Sequence, residues 1–375
     1  EKRAGMHLRL VKGAYWDYEI KHSQVYGYEG YPVFSKKSIT DIFYLACAKE
    51  ILKNKKLFAK FATHNAHTIS SIQYLGESSD YEFQRLYGMG ELLYQSASET
   101  LELSSKPSIY APIGSHKDLL PYLVRRLLEN GANSSFINRL LDPETDSAWL
   151  AENPYERLKK ETKDIPVPKK IFFDRENSSG KDISEIENLE DLKSKIDNFS
   201  GLKVDAKSIY AGRLDANNTE EKAFSISNRC EIGTITLDDP IQIKKALEKD
   251  TLDEWKQIEV NKRAKILNLI ADDLENNPYE LIYFLINEAG KTIQNAIDEI
   301  REAVDFLRYY SSRSIELFNN TELNGPTGED NQMSFTPKGT FLCISPWNFP
   351  VAILIGQISA ALSCGNRVIV KPSEY

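Results

Sequence analysis

The sequence predicts an α/β chain in two folded parts joined by a charged connecting stretch, the first built from parallel β/α units and the second closing on a βαβ unit. Three observations carry this. From residue 1 to about 140, short apolar runs alternate with helical patterns, as strand-helix-strand units require. From about 205 to 375 a second alternation appears, with longer helices and fewer strands. Between them, Pro143, Pro154, Pro166 and Pro168 punctuate an apolar-poor stretch that reads as a linker.

In the first part the strand-like runs are Leu8–Lys12, Phe58–Thr63, Glu82–Leu86 and Ser108–Ala111. Helical patterns follow at about 40–53, 66–75, 91–101 and 116–130. In the last of these, Leu119, Leu120, Leu123, Val124, Leu127 and Leu128 share one side at helical spacing, and Asn130-Gly131 supplies a left-handed stop. The linker ends in one amphipathic helix marked by Ile183, Ile186, Leu189, Leu192, Ile196 and Phe199. The second part opens with strand-like Lys207–Ala211 and Glu231–Leu237. Asp238-Asp239-Pro240 then combines a cap with proline at the first helical position. Helices are expected at about 258–276, 278–289 and 292–318, the last striped by Ile293, Ile297, Ile300, Val304 and Leu307. A βαβ unit ends the chain, with strand Thr340–Ser345, a helix from about 350 to 363, and strand Arg367–Val370.

Composition narrows the function classes. The 375 residues hold 47 Lys and Arg against 55 Asp and Glu, a formal net charge of −8, which argues against bulk nucleic-acid binding in this segment. With 41 % hydrophobic and 27 % charged residues, the chain is globular rather than disordered. Cys47, Cys230, Cys343 and Cys364 are far apart and form no CxxC pair, so no metal site is expected and a reduced, cytoplasmic setting fits. The most apolar window, Phe349–Gly365, is broken by Pro350, Gln357, Ser359 and Ser363 and falls short of the ~18–20 apolar residues of a membrane span. The chain opens at Glu1 without a methionine and stops at Tyr375 just after a strand-like run, so it reads as an excerpt of something longer.

Polar residues in the first part gather at strand C-terminal ends. Arg9 and Lys12 lie on or after the first strand, Thr63-His64-Asn65 after the second, Gln84 on the third and Tyr110 on the fourth. Each alone reads as structural; their shared location matches the active-site face of a β/α barrel. Arg125, Arg126 and Glu129 lie opposite the leucines of the last helix. They suit either a solvated ion pair or a site for a substrate carboxylate, one guanidinium binding it while Glu129 holds the other.

These residues sit in the segments Arg9-Leu-Val-Lys-Gly-Ala-Tyr-Trp16, Phe61-Ala-Thr-His-Asn65, Tyr81-Glu-Phe-Gln84, Gly88-Met-Gly-Glu91, Tyr110-Ala-Pro and Tyr122-Leu-Val-Arg-Arg-Leu-Leu-Glu-Asn-Gly131. In that order they resemble the proline dehydrogenase domain of the bacterial proline utilisation A family. The resemblance implies the C-terminal half of a (β/α)8 barrel over 1–140, its last four β/α units, holding FAD. It implies Arg125, Arg126, Tyr110 and Tyr15 around proline, with Glu129 ordering the arginines. Arg9, Gly13, Ala14, Trp16, Thr63, His64, Asn65 and Gln84 would line the FAD site. The tyrosine-rich insertion Asp17–Lys37 would cover the flavin as a loop, and the half barrel would leave two open strand edges.

In the second part, Ser345-Pro-Trp-Asn-Phe-Pro350 follows a strand and opens a helix. A strand-end asparagine amide there can donate to an oxyanion, or simply cap a Pro-bounded turn. Lys371 ends the next strand and Glu374 follows three residues on; no GxGxxG fingerprint is present. The run Gly339–Pro350 through Val370-Lys-Pro-Ser-Glu374, with Glu288-Ala-Gly-Lys291 before it, resembles the aldehyde dehydrogenase superfamily. The resemblance implies the N-terminal part of an atypical, Rossmann-like NAD domain over 205–375, after a linker over 141–204. Asn348 would be the catalytic oxyanion donor, and Ile344, Ser345, Trp347, Lys371 and Glu374 would contact NAD. Cys343 and Cys364 read as structural, the catalytic cysteine and general base being expected beyond Tyr375.

The order of the two parts is that of the bifunctional proline utilisation A family. It implies oxidation of L-proline to pyrroline-5-carboxylate and then of glutamate semialdehyde to glutamate, with quinone as electron acceptor. A peripheral contact with the inner membrane and a homo-oligomer of the full-length protein are further family expectations. Two rivals stand beside this reading. One is a Schiff-base lyase with Lys12 as nucleophile. The other is a regulatory fragment, because some family members repress transcription through an N-terminal DNA-binding segment.

Overall fold

The computed structural model describes residues 5–12, 15–77, 79–101, 103, 106–131, 148, 151–162, 164–210, 213–214, 219–237, 240–248, 252–319 and 321–373. Two compact units emerge: residues 1–21 with 31–165, and residues 22–30 with 166–375.

The first unit runs β1 (Met6–Val11), α1 (Trp16–Tyr26, shared with the second unit), α2 (Lys37–Lys53), β2 (Leu57–Ala62), α3 (Ala66–Leu75), β3 (Tyr81–Leu86), α4 (Glu91–Leu101), β4 (Ser108–Tyr110), α5 (His116–Gly131) and α6 (Pro154–Lys160). The strands form one parallel sheet in the order β1-β2-β3-β4. Sequential β/α crossovers produce that order. Side chains alternate along each strand. Ala59, Phe61 and Phe83 point toward the helices and meet Tyr44, Ala48, Ile69, Ile72, Tyr94 and Ala97 in a closed core. Phe61 alone, fully buried, contributes about 2–3 kcal/mol. The opposite face carries His7, Arg9, Lys60, Glu82 and Gln84, placed side by side by the register Arg9 to Lys60 to Glu82 and Ala62 to Gln84.

The structure departs from expectation in three places here. Part of the Asp17–Lys37 insertion is helix α1 rather than loop. Asp17 and Glu19 favour its first turn, and Gly27 ends it at φ +64°. Helix α5 continues through Gly131 instead of stopping at Asn130-Gly131. Its stripe is also not core, since Leu120, Leu123 and Val124 stay exposed. That helix follows β4, an edge strand, where no described strand lies beyond to receive the stripe.

The second unit continues with α7 (Ile186–Asp197), β5 (Val204–Ala206), β6 (Ile209–Tyr210), β7 (Arg213–Leu214), β8 (Thr219–Phe224), β9 (Glu231–Leu237), α8 (Pro240–Glu248) and α9 (Leu252–Lys256). Then follow α10 (Val260–Asn276), α11 (Tyr279–Asn287), α12 (Ile293–Phe318), β10 (Thr321–Leu323), β11 (Asn331–Met333), β12 (Thr340–Ile344), α13 (Ala352–Ser363) and β13 (Arg367–Lys371). The cap expected at Asp238-Asp239 lies outside the described residues. Helix α12 is the spine. Ile297 and Ile300 pack with Leu192, Ile196, Ile282 and Leu285, while Val304 and Leu307 pack with Leu267 and Ala271. Helix α13 crosses α12 closely at Gly356, where an added methyl would lie 3.0 Å from Phe306. Strands β12 and β13 pair in parallel, giving the closing βαβ unit.

Part of the expected linker is fixed structure. Asn177 and Ser178 are buried, and Ser178 donates from its backbone N–H (2.9 Å) and Oγ (2.7 Å) to Asp305 of α12. Arg301 donates to the carbonyls of Val25 (2.9 Å) and Ser178 (3.2 Å), tying residues 22–30 and 177–180 to the same helix. Gly27 is obligatory there, because a Cβ would fall 2.1 Å from the Ser178 oxygen. Buried backbone groups need partners, so an apolar-poor segment packs well when a neighbouring helix supplies Asp and Arg.

Candidate functional site

On the open face of the first sheet, Arg9 donates from Nε to Gln84 Oε1 (2.9 Å), and its guanidinium lies 4.6 Å from the centre of the Tyr110 ring. Gln84 donates onward to Glu82 (2.8 Å), with Lys60 4.0 Å from the same carboxylate. Arg9 stands on β1, whereas Gln84 and Tyr110 belong to β3 and β4. With strands about 4.8 Å apart, the long Arg9 and Gln84 side chains together bridge the intervening strand β2. The face is a half-exposed array of donors and acceptors.

A second convergence joins helix α5 to Tyr15, just before α1. The guanidinium carbons of Arg125 and Arg126 sit 5.2 and 5.8 Å from the Tyr15 ring centre, and Arg126 is also 5.5 Å from the Tyr122 ring. Each cation-ring contact at an exposed position is worth about 0.5–1 kcal/mol. Two like charges held at one ring make an electropositive spot that a carboxylate would relieve. The side chain of Glu129 lies outside the described residues, as do Gly13 and Ala14.

The remaining residues expected at the FAD site hold the turns around this face. Trp16 donates from Nε1 to the carbonyl of Phe34 (2.9 Å). Buried Thr63 accepts the Asn65 N–H at Oγ1 (3.2 Å), and its carbonyl accepts the Tyr94 hydroxyl (2.9 Å). Asn65 caps α3 by accepting the Thr68 N–H (3.0 Å), so the amide nitrogen is what it can present as a donor. His64 Nε2 accepts the Leu86 N–H (3.3 Å). Burial, with Arg85 as a smaller cause, lowers its pKa, so the ring is the neutral tautomer with its proton on Nδ1.

Lys12 corrects one of the rivals. Position 12 follows Leu8 and Leu10 on the helix side of β1. There Nζ lies 2.6 Å from Asp41 Oδ1 and 2.8 Å from Thr68 Oγ1. An ammonium held in a largely buried ion pair is a poor nucleophile, and it lies on the side opposite the polar face, so the Schiff-base lyase reading is not favoured.

In the second unit, the loop 345–350 leaves β12 and enters α13. Its strand side is held by Ser345 N–H to the Lys371 carbonyl (3.0 Å). Gln357 bonds Ile344 twice, accepting its N–H (2.9 Å) and donating to its carbonyl (3.1 Å). Ser345 Oγ donates across the loop to the Pro350 carbonyl (2.8 Å). Between these ties Trp347 and Asn348 are exposed, as is Lys371 at the end of β13. Glu374 lies outside the described residues. Cys343 is buried, which pushes its thiol pKa up and makes it a poor nucleophile; Cys364 follows the end of α13.

Sequence reasoning missed the carboxylate beneath this loop. Glu299 lies on α12 with a side chain that is 0 % exposed, and it accepts the backbone N–H groups of Val351 (2.8 Å) and Ala352 (3.2 Å). Lys291 Nζ stands 2.7 Å from its other oxygen and 4.3 Å from the Phe349 ring centre. A signal was available: Glu299 stands three residues after Ala296 and four before Ala303, inside the buried stripe.

These features define the class. One unit presents a parallel sheet with a polar array, the other a fingerprint-less βαβ unit with an exposed asparagine loop, two α/β parts in one chain. Family comparison agrees, residues 1–139 matching the proline dehydrogenase family and residues 215–375 the aldehyde dehydrogenase family. The bifunctional protein PutA of Escherichia coli (strain K12) is 39 % identical over 99 % of this chain, and that of Rhizobium meliloti is 37 % identical over all of it. A solved structure of proline utilization A with proline bound in remote sites superposes with a TM-score of 0.82 at 38 % identity, covering 99 % of this chain and 35 % of that one. The chain belongs to the bifunctional proline utilization A family, of whose curated members it spans about 30 % of the length.

Proposed function

We propose that this chain carries the carboxylate clamp and flavin-facing sheet of a proline dehydrogenase over 1–140. A linker over 141–204 then leads to the opening part of an L-glutamate γ-semialdehyde dehydrogenase over 205–375. In the full-length protein the pair oxidises L-proline to L-glutamate. The observation that carries this reading is the meeting of Arg125 and Arg126 at Tyr15.

The polar face of the sheet fits FAD by its chemistry. Arg9 and Lys60 are cations for phosphate or ring carbonyls, Gln84 both donates and accepts, and Thr63, His64 and Asn65 stabilise the adjoining turn. For NAD, the exposed Lys371 suits a ribose or phosphate, with Ile344, Ser345 and Trp347 alongside. When bound, FAD supplies the two-electron acceptor for proline and NAD that for the semialdehyde. Arg125 and Arg126 bind the substrate carboxylate, Tyr15 fixes the spacing of the two guanidiniums, and Tyr110 closes the side next to Arg9. The Asn348 amide N–H donates to the oxygen of the aldehyde under attack. The same reading makes quinone the acceptor that reoxidises the flavin. It also makes the full-length protein a cytoplasmic homo-oligomer with a peripheral contact to the inner membrane; no described helix is long and apolar enough to cross one.

The test is proline-dependent dye reduction by the full-length protein. Arg125→Met and Arg126→Met should each lower kcat/KM for proline by about 10- to 100-fold, the loss of a charge-assisted hydrogen bond worth roughly 1.5–3 kcal/mol. Wild-type rates in both variants would remove the clamp.

A further inference from the structure

The loop that bears Asn348 is held in two different ways. Its strand side, Ile344 and Ser345, is fixed by Gln357 and the Lys371 carbonyl. Its helix side is tied by the Ser345 Oγ bond to the Pro350 carbonyl and, from below, by the side chain of Glu299. Glu299 takes the first two N–H groups of the α13 end, Val351 and Ala352, while Lys291 pairs with its second oxygen and lies against Phe349, the residue after Asn348. A helix N-terminus leaves such N–H groups without intrahelical partners, and a carboxylate there is favoured by the helix dipole. A carboxylate buried this completely would be costly without the cation and two N–H donors.

From this division we infer that Glu299 is a positioning residue for the semialdehyde dehydrogenase reaction, acting through the α13 N-terminus and, with Lys291, through Phe349 to set where the Asn348 amide points. The inference rests on the reading of Asn348 as the oxyanion donor. An oxyanion donor acts on the transition state, and a displacement of about 1 Å costs on the order of 100-fold. Ile344, Ser345 and Lys371, placed beside NAD, are tied on the strand side by bonds that do not involve Glu299. Loss of Glu299 therefore reduces kcat and leaves the KM for NAD in place, whereas a merely structural role would move both.

The experiment uses the full-length protein, with proline-dependent dye reduction as an internal control for intact folding of the first site. Glu299→Leu, which removes both acceptors at similar size, is expected to lower kcat for semialdehyde oxidation by about 30-fold or more, with KM for NAD changed less than about 2-fold. Glu299→Gln keeps an oxygen for Val351 and Ala352 and should restore kcat to within about 3-fold of wild type. Should Glu299→Leu not accumulate in soluble form, Glu299→Asp retains the charge beside Lys291 but withdraws the carboxylate, and should lose about 10-fold in kcat. Asn348→Ala is measured in parallel. Wild-type kcat in that variant overturns the oxyanion reading itself. A crippled Asn348→Ala beside a near-wild-type Glu299→Leu (or, in its absence, Glu299→Asp), or a KM for NAD that rises in step with the fall in kcat, overturns the role given to Glu299 alone.

Discussion

The two units present their chemistry in opposite ways. In the first, Arg9 and Gln84 project from the strands of the sheet itself, and the arginine pair of α5 meets Tyr15, just before α1. In the second, the candidate group sits on a loop, and its position depends on Glu299, which is buried out of reach of any substrate. A sheet carries its own geometry through the backbone ladder, so a site built on it needs little support from behind. A loop has no ladder, so its precision has to come from packed side chains and buried hydrogen bonds.

The comparison breaks most visibly at the loop. Asn348→Ala should reduce semialdehyde oxidation by about 100- to 1,000-fold, as removal of one oxyanion donor does, while proline-dependent dye reduction stays at the wild-type rate. Equal losses in both assays would mean that the two sites are not separable in this way.

A second variant probes the helix side of the first sheet. Lys12→Met strands Asp41, whose side chain is 9 % exposed, and is expected to destabilise the first unit by about 3 kcal/mol in urea unfolding. No borohydride-trapped adduct should form on Lys12 with any carbonyl substrate; one that did would reinstate the lyase reading.

The second unit's supports can be titrated. Burial alone would raise the pKa of Glu275, but hydrogen bonds from Arg308 and from the Ser179 N–H outweigh it and hold the carboxyl below its usual value. A carboxylate depressed in the folded state contributes stability that is present above its unfolded pKa of about 4.3 and is lost as pH falls through the folded value. Unfolding measured from pH 7 downward should therefore show a loss below about pH 4 that Glu275→Gln diminishes. The smallest effect belongs to a turn. Asn65→Ala removes the α3 cap and should cost about 1 kcal/mol, seen as faster amide exchange at Thr68 without loss of the sheet.

Much of this molecule was legible beforehand, for reasons specific to each element. Strand β2 announced itself as a short, almost wholly apolar run and β3 by alternation, while the pairing register across β1, β2 and β3 put Arg9 and Gln84 on one face. Helix α12 was legible from its stripe of Ile293, Ile297, Ile300, Val304 and Leu307. Helix α5 shows the limit of that logic, because a stripe says which residues share a side but not whether anything covers it; Leu120 and Leu123 remain exposed. Within the stretch read as a linker, Ser178 and Ser179 show the converse: apolar residues are few there, yet their backbone is bonded by Asp305, Glu275 and Arg301, which lie about a hundred residues or more away in the chain.

The amino-acid order by itself determined the element types, the parallel β/α succession, the identity of the polar strand-end residues and the resemblance to two enzyme families, since all of these rest on local periodicity and short motifs. Tertiary structure alone decided that Lys12 turns away toward Asp41, that two arginines share the Tyr15 ring, and that Glu299 underlies the Asn348 loop. Each of these joins groups separated by dozens of residues, and such pairings are set by how the elements pack rather than by any pattern within one of them.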